Sequence, residues 1–429
     1  MNVFEEWESN VRSYCRTFSD VYSSAKDSVM VAENGKRYID FFAGAGALNY
    51  GHNNAYIKRK IMDYLENDGV IHGLDMFTKA KQAFIETFQR EVLAPGRYPY
   101  KMQFCGPTGT NAVEASIKLA RKVTGRTGVF SFMGGFHGMS LGSLALTGNL
   151  YNRAGAGVPL SHVTFMPYPY GFMDTFDTIA YMEAVLTDEN SGIEKPAAII
   201  FETVQAEGGV IVAPVEWMRR LSALCERHGI LLICDDIQAG CGRTGTFFSF
   251  ERAGIVPDLV ILSKSIGGYG LPMSLVLMKP ELDIWHPGEH NGTFRGNQLA
   301  FIGGTAALEY RKQVNLEQEV AAKAAFLDSF LHKEITPLDA NIQIRGIGMI
   351  WGIDVSNLTD KAISKKIVAE CYERGLIIER AGRGDTVIKI MPPLNIETEL
   401  LMQGMAIIKT SMQKFCAQEV CSERQGVYA

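Results

Sequence analysis

Two short segments constrain this chain most. Ile230-Leu231-Leu232-Ile233-Cys234 stops at Asp235-Asp236-Ile237-Gln238, and Leu259-Val260-Ile261-Leu262 stops at Ser263-Lys264 before breaking into Gly267-Gly268. Each is short, branched and uniformly apolar, the pattern of a strand buried on both faces of a parallel sheet. A third such run, Ala197-Ala198-Ile199-Ile200-Phe201, ends at Glu202, with Gln205 and Glu207 close behind. Open α/β sheets bind ligands at the rim where their strands end. Three runs that finish in acid, amide and amine groups therefore predict one crevice lined by them.

The rest of the chain can support such a sheet. With 429 residues, 47% of them hydrophobic, it can bury a large core and divide into one big and one smaller domain. A net charge of −5, without a basic cluster, argues against nucleic-acid binding. No apolar stretch approaches the roughly 20 residues of a membrane span, and the start, Met1-Asn2-Val3-Phe4-Glu5-Glu6-Trp7-Glu8, lacks a signal-peptide core. The eight cysteines are scattered without a CxxC pair. They read as reduced thiols of a cytoplasmic protein, with no metal site.

Val29-Met30-Val31-Ala32 and Arg37-Tyr38-Ile39-Asp40 flank Asn34-Gly35, which predicts two strands around a hairpin turn. From 56 to 310 helical and apolar-strand patterns alternate, predicting a large domain with helices on both faces of a mostly parallel sheet. Residues 1–55 and 311–415 read as a small domain built from both chain ends, and 416–429 as a loose tail. The clearest helix follows Pro214: Trp217, Leu221, Leu224 and Cys225 form one apolar stripe, and Gly229 closes it.

Lysines at strand ends are mostly solvated caps. Glycines after Lys264, however, let backbone approach a ligand closely, and a desolvated amine loses its proton more readily and attacks aldehydes. Asp235 and Asp236 are adjacent, so they point to opposite sides of a strand. This argues against an acid/base dyad or a shared metal site; one faces a ligand and the other a structural partner. Gln238 either shares the side of Asp236 or swings inward where the chain turns. An amine and a carboxylate on one rim suit pyridoxal phosphate (PLP), which needs the first for a Schiff base and the second to keep its pyridine nitrogen protonated.

Two further segments fit that ligand. Thr108-Gly109-Thr110 enters a helical pattern in which Val113, Ile117 and Ala120 share a face. Main-chain N–H groups at a helix start, with hydroxyls, make a phosphate site, although the same residues equally make an ordinary threonine cap. In Gly134-Gly135-Phe136-His137-Gly138 an aromatic flanked by glycines can lie against a flat cofactor.

Together these segments resemble the class III (subgroup II, ornithine/GABA-type) aminotransferases over nearly the whole chain. Ile233 to Gly245 (ICDDIQAGCGRTG) is similar to the family signature, and Ser263-Lys264-Ser265 follows at the expected distance. The resemblance implies the α/β fold type I of PLP-dependent transferases, a large domain with a mostly parallel central sheet plus a smaller α+β domain. It also implies roles. Lys264 forms the Schiff base and shuttles a proton, Asp235 pairs with the pyridinium nitrogen, and Gln238 with the ring hydroxyl oxygen. Gly109 and Thr110 hold the phosphate, and Phe136 stacks on the ring. Thr293, within Gly292-Thr293-Phe294-Arg295-Gly296-Asn297, matches the threonine that reaches the phosphate of a neighbouring subunit, implying at least a homodimer with shared active sites. Glu207 matches the acid that helps switch between two substrates.

Glu8 to Arg16, Phe41 to Asn54 and the Gly-Thr-Phe-Arg-Gly-Asn segment are similar to the diaminobutyrate–2-oxoglutarate branch of that family, the aminotransferases of ectoine biosynthesis. This implies transfer of the amino group of glutamate to the aldehyde of aspartate 4-semialdehyde, giving 2,4-diaminobutyrate. Lys389 stands where relatives commonly carry the arginine that grips the glutamate α-carboxylate, and it offers charge without a bidentate fork; Arg295 is the next candidate. Another class III ω-aminotransferase, or a racemase or aminomutase of the same fold, would use the same lysine and aspartate. A nucleotide-dependent enzyme is disfavoured, because Gly44-Ala45-Gly46-Ala47-Leu48-Asn49 only half matches GxGxxG.

Overall fold

Seven strands make the central sheet: β1 (Lys101–Phe104), β2 (Val129–Phe132), β3 (Val163–Met166), β4 (Ala198–Phe201), β5 (Leu231–Asp235), β6 (Leu259–Leu262) and β7 (Leu275–Met278). The computed structural model that contains them describes residues 3–170 and 176–426. Across the sheet the order is β1-β7-β6-β5-β4-β2-β3. β7 runs against both its neighbours, and the remaining pairs are parallel. The three apolar runs of the sequence are thus β4, β5 and β6, which lie side by side.

Alternation explains why they carry no polar residue before Asp235 at the end of β5. Successive side chains of a strand face opposite sides, and both sides of this sheet are covered. Ile199 and Phe201 enter one cluster with Phe130, Cys234, Val260 and Leu262. Ala198 and Ile200 enter another with Ile233, Leu259 and Ile261. Helix Val215–His228 covers the first face with Trp217, Met218, Leu221, Leu224 and Cys225, and ends at Gly229, whose φ of +58° closes it. Helix Gly109–Thr124 covers the second with Ala112, Val113, Ile117 and Ala120.

A second body packs beside this sheet. Strands Gln343–Ile347, Ile350–Asp354, Val387–Ile390 and Glu379–Ala381 form an antiparallel sheet in that order. Tyr22–Lys26, Val29–Ala32 and Arg37–Asp40 form a meander near the chain start, with Gly35 at φ +81° in the Asn-Gly turn. Leu376–Ile377 pairs parallel with Arg37–Asp40, joining segments from opposite chain ends into one sheet. One apolar cluster accordingly unites Ile39, Phe41, Ile57 and Ile61 with residues from Ala306 to Cys416. Helix Gln298–Gln313 is capped by Asn297, whose side chain accepts the Ala300 N–H. The last helix spans Thr398–Gly426, so the stretch 416–426, expected as a loose tail, continues a helix.

The two bodies are tied by Arg243, which is fully buried. Its guanidinium donates to the main-chain oxygens of Met349 (3.0 Å) and Pro392 and to Asn49 Oδ1 (2.6 Å), while its own carbonyl accepts the Met349 N–H at 2.8 Å. Gly348, at φ +59°, makes the approach possible: a Cβ there would stand 2.4 Å from the Arg243 oxygen. Arg243→Leu strands three buried acceptors and should lower unfolding free energy by about 3 kcal/mol or more. A urea titration checks this, and a loss below about 1 kcal/mol would contradict the tie.

Candidate active site

The register of β5 against β6, with Cys234 beside Val260 and Asp235 beside Ile261, brings both strand ends to one rim. Lys264 follows β6 after Ser263, whose Oγ donates to the Met273 oxygen at 3.0 Å. Lys264 itself has φ +52°, a left-handed conformation that costs a non-glycine residue about 1–2 kcal/mol. Such strain persists where the surroundings enforce it and concentrates at functional sites. Burial holds the Lys264 ammonium below the usual lysine range. The nearby charge of Lys389 works in the same direction, and Glu207, Glu379 and Asp235 oppose it.

The two aspartates diverge as strand geometry requires. Asp235 faces the crevice; its Oδ2 lies 2.7 Å from His137 Nδ1 and its Oδ1 accepts the Ile237 N–H at 3.2 Å. Asp236 turns away, fully buried, and accepts the Ser249 N–H (3.0 Å) and hydroxyl. Burial pushes its carboxyl up to about 7. Because β5 ends at Asp235, Gln238 swings inward: its Nε2 donates to the Ala45 oxygen (2.8 Å) and to Glu207 Oε1 (3.2 Å). Its Oε1 is buried and has no partner among the described residues. A Cβ on Gly46 would come within 3.3 Å of Gln238 Cγ and 3.8 Å of Lys264 Cδ. The bare glycine is what leaves room above these two side chains.

Helix Gly109–Thr124 aims its N-terminus at the same rim. A Cβ on Gly109 would stand 2.8 Å from Ile237 Cδ1 and 3.5 Å from Ser263 Cβ, so the helix start abuts both strand-end segments. Thr110 Oγ1 is 2.7 Å from Ser140 Oγ, and Gly138, at φ +129°, has no room for a side chain beside that threonine. Phe136 is held by its N–H, which donates to Glu202 Oε2 at 3.1 Å. Burial, reinforced by Asp235, drives the Glu202 carboxyl well above the usual range, and the Phe136 N–H opposes this. Gly109, Thr110, Phe136, Asp235, Gln238 and Lys264 therefore converge on one crevice.

Lys389, the candidate for the glutamate carboxylate, is fully buried and ion-paired at 2.7 Å with both Glu207 Oε1 and Glu379 Oε1. Burial opposes ionisation of Glu207, yet the Lys389 and Lys264 charges pull its carboxyl down to about 2. Burial wins at Glu379, which is pushed up to about 7. Tyr14 stands beside this group: burial, then Glu379 and Glu207, raise its phenol. Arg295, the next candidate, lies on another segment. It bonds Asn291 Oδ1 at 3.0 Å and lines a cavity of about 680 Å³ that Lys264, Asp235, Gln238 and Glu207 do not line. Thr293 is exposed on the same segment.

Two functional residues escaped the sequence reading. His137 was visible beside Phe136, but its partner lies 98 positions away. Glu379 joins Lys389 only through antiparallel register, in which the two are directly opposed. His137→Phe removes the partner of a buried carboxylate; it should weaken PLP binding about tenfold or more, measured by equilibrium dialysis, with the fold retained. Unchanged affinity would remove His137 from the site.

The chain matches the family described as Aminotransferase class-III over residues 13–412. It is 52% identical over 414 residues to a diaminobutyrate–2-oxoglutarate transaminase of Halalkalibacterium halodurans, covering 96% of each chain. With the enzyme of the same name from Streptomyces anulatus it shares 54% over 406 residues, covering 94% of this chain and 96% of that one. Among solved structures, a Bacillus anthracis aminotransferase superposes with TM-score 0.86 at 25% identity, covering 96% and 97% of the two chains. Ornithine aminotransferase from Toxoplasma gondii, whose active site holds PLP at partial occupancy, gives 0.84 at 24%, covering 97% and 94%. The crevice fits that coenzyme: it offers an amine, a carboxylate, a buried amide oxygen without a partner among the described residues, and a helix N-terminus. The chain belongs to the class III aminotransferases, PLP-dependent enzymes of fold type I.

Proposed function

We propose that this chain transfers the amino group of L-glutamate to the aldehyde of L-aspartate 4-semialdehyde, yielding L-2,4-diaminobutyrate and 2-oxoglutarate. The observation that carries this reading is identity above 50% over nearly the full length with enzymes named for that reaction. Bound in the crevice, PLP supplies an electrophilic aldehyde and an electron-withdrawing ring. The chain's own groups do the rest. Lys264 Nζ, desolvated and held by an enforced backbone, tethers the coenzyme and moves the proton at the amino-bearing carbon of the substrate. Asp235, fixed by His137, keeps the ring nitrogen protonated. Gln238 Oε1 is the acceptor available to the ring hydroxyl, and the start of helix Gly109–Thr124 with Thr110 holds the phosphate.

The active unit is a homodimer or a larger homo-oligomer, with Thr293 reaching the neighbouring subunit's phosphate. Support comes from a contiguous apolar surface: Val70, Ile71, Leu74, Met76 and Phe77 are all exposed on one segment, and Phe294 is exposed next to Thr293. Patches of this kind on a single chain mark interfaces. The protein works in the cytoplasm; among the described residues the cysteines are free thiols, and no helix is long and apolar enough to cross a membrane.

The test is amino transfer from glutamate to aspartate 4-semialdehyde, followed by chromatography of the products. Diaminobutyrate should form only when both substrates are present, and Lys264→Ala should lower kcat by about 10⁴-fold. Full turnover by that variant would refute the assignment. Sedimentation equilibrium should give at least twice the monomer mass, and Phe77→Glu should shift it toward monomer with loss of activity.

A further inference from the structure

Glutamate and aspartate 4-semialdehyde share one feature when counted from the carbon that reacts. In glutamate, two carbons separate the amine-bearing carbon from the distal carboxylate. In the semialdehyde, two carbons separate the aldehyde from its carboxylate, and in diaminobutyrate the transferred amine stands at the same remove. Both halves of the proposed reaction, on which this inference rests, thus bring a carboxylate to one place. Glutamate brings a second, on the reacting carbon itself.

One chain supplies few cations to meet them. Those acting on Glu207 and Glu379 are Lys389 and Lys264. Lys264 is committed to the coenzyme, and Lys389 is a single charge. A carboxylate taken out of water without a cation or donors is costly.

The turn that carries Thr293 holds a cation without an acid. The Arg295 N–H donates to the Gly292 oxygen at 3.4 Å, so Thr293 and Phe294 form the tip of a turn and Arg295 its base. Both tip residues are exposed. Phe294 meets His72 edge-on, 5.3 Å between ring centres, which joins the turn to the exposed apolar segment 70–77. The ends of such a turn stay within about 7 Å of each other, so Arg295 travels wherever the tip goes. Its guanidinium bonds a neutral amide oxygen, Asn291 Oδ1, and forms no ion pair among the described residues. It lines an open cavity with Lys81 and His290. Burial holds the Lys81 amine and the His290 imidazole below their usual ranges, and the Arg295 charge works in the same direction. A permanently charged, planar fork suits a carboxylate brought to it.

We propose that Arg295 is a substrate-binding residue that acts across the dimer. Carried beside Thr293 into the neighbouring subunit's crevice, it grips the carboxylate that glutamate, aspartate 4-semialdehyde and diaminobutyrate share. Each crevice then takes its reactive lysine from one chain and its carboxylate clamp from the other.

The PLP-loaded enzyme is compared with Arg295→Gln on substrate pairs that differ by this carboxylate alone. 2-Aminobutyrate is glutamate without it, and 1,3-diaminopropane is diaminobutyrate without it. In single turnovers the unaltered enzyme should favour glutamate and diaminobutyrate over these analogues by about tenfold or more in kcat/KM. Arg295→Gln should abolish both preferences while changing the analogues less than about threefold. By calorimetry, glutarate should bind the variant about tenfold more weakly, and butyrate equally well. Hybrids of Lys264→Ala with Arg295→Gln subunits should regain about half the glutamate turnover of the unaltered protein, because one of their two sites is whole. Hybrids no better than Arg295→Gln alone would overturn action across the dimer. Equal losses on all four amines, or preferences that survive the substitution, would overturn the clamp. An enzyme that forms no diaminobutyrate, yet prefers glutamate to 2-aminobutyrate only when Arg295 is present, would sink the proposed acceptor and uphold this assignment.

Discussion

The parallel pairing of β5 with β6 is the constraint on which the site rests. Register fixes Asp235 beside Ile261, and three residues further on the chain delivers Lys264 to the same rim. Neither strand tolerates a one-residue slip, because a slip exchanges the two faces and both faces are packed. It would bring Asp236, now buried against Ser249, into the crevice, and force Asp235 into the core. Packing and chemistry are thus set by one alignment.

Charge adds a second requirement. Glu202, Asp235, Glu207 and Glu379 gather around two lysines within one crevice, and burying each alone would be costly. The structure resolves this unevenly. Asp235 is matched by His137, and Glu207 by Lys389. Glu379 sits near neutrality, and Glu202 is driven toward its protonated form. Asp235 is left oriented by His137, while its acidic neighbour Glu202 holds the main chain of Phe136.

The legible part of the sequence was its periodicity and the residues that end it. The apolar runs of β4, β5 and β6, the hairpin at Asn34-Gly35 and the Pro214-to-Gly229 helix follow from local rules that tertiary contacts reinforce. The divergence of Asp235 and Asp236 needed only the two-residue repeat of a strand. What stayed hidden depends on register between distant segments. The Lys389–Glu379 pair requires knowing which residues oppose each other across an antiparallel sheet, and the His137–Asp235 pair requires knowing that two strand-end loops meet. Lys389 showed the limit most clearly: its type and position suited a substrate carboxylate, but nothing local announced the two acids that meet it. The helical stretch 416–426 had too few apolar residues to announce itself apart from the helix it extends.

The joint between Leu376–Ile377 and Arg37–Asp40 has a bearing on how the molecule is made. The meander leaves the ribosome before the strand that completes its sheet, Leu376–Ile377, which lies more than three hundred residues further along the chain. Until then Arg37–Asp40 keeps a free edge, and the apolar faces of Ile39 and Phe41 have no cover. Loop closure over such a span is slow, and an open edge invites pairing with other chains. The nascent meander is therefore exposed to wrong pairing throughout the synthesis of the segment between these two strands.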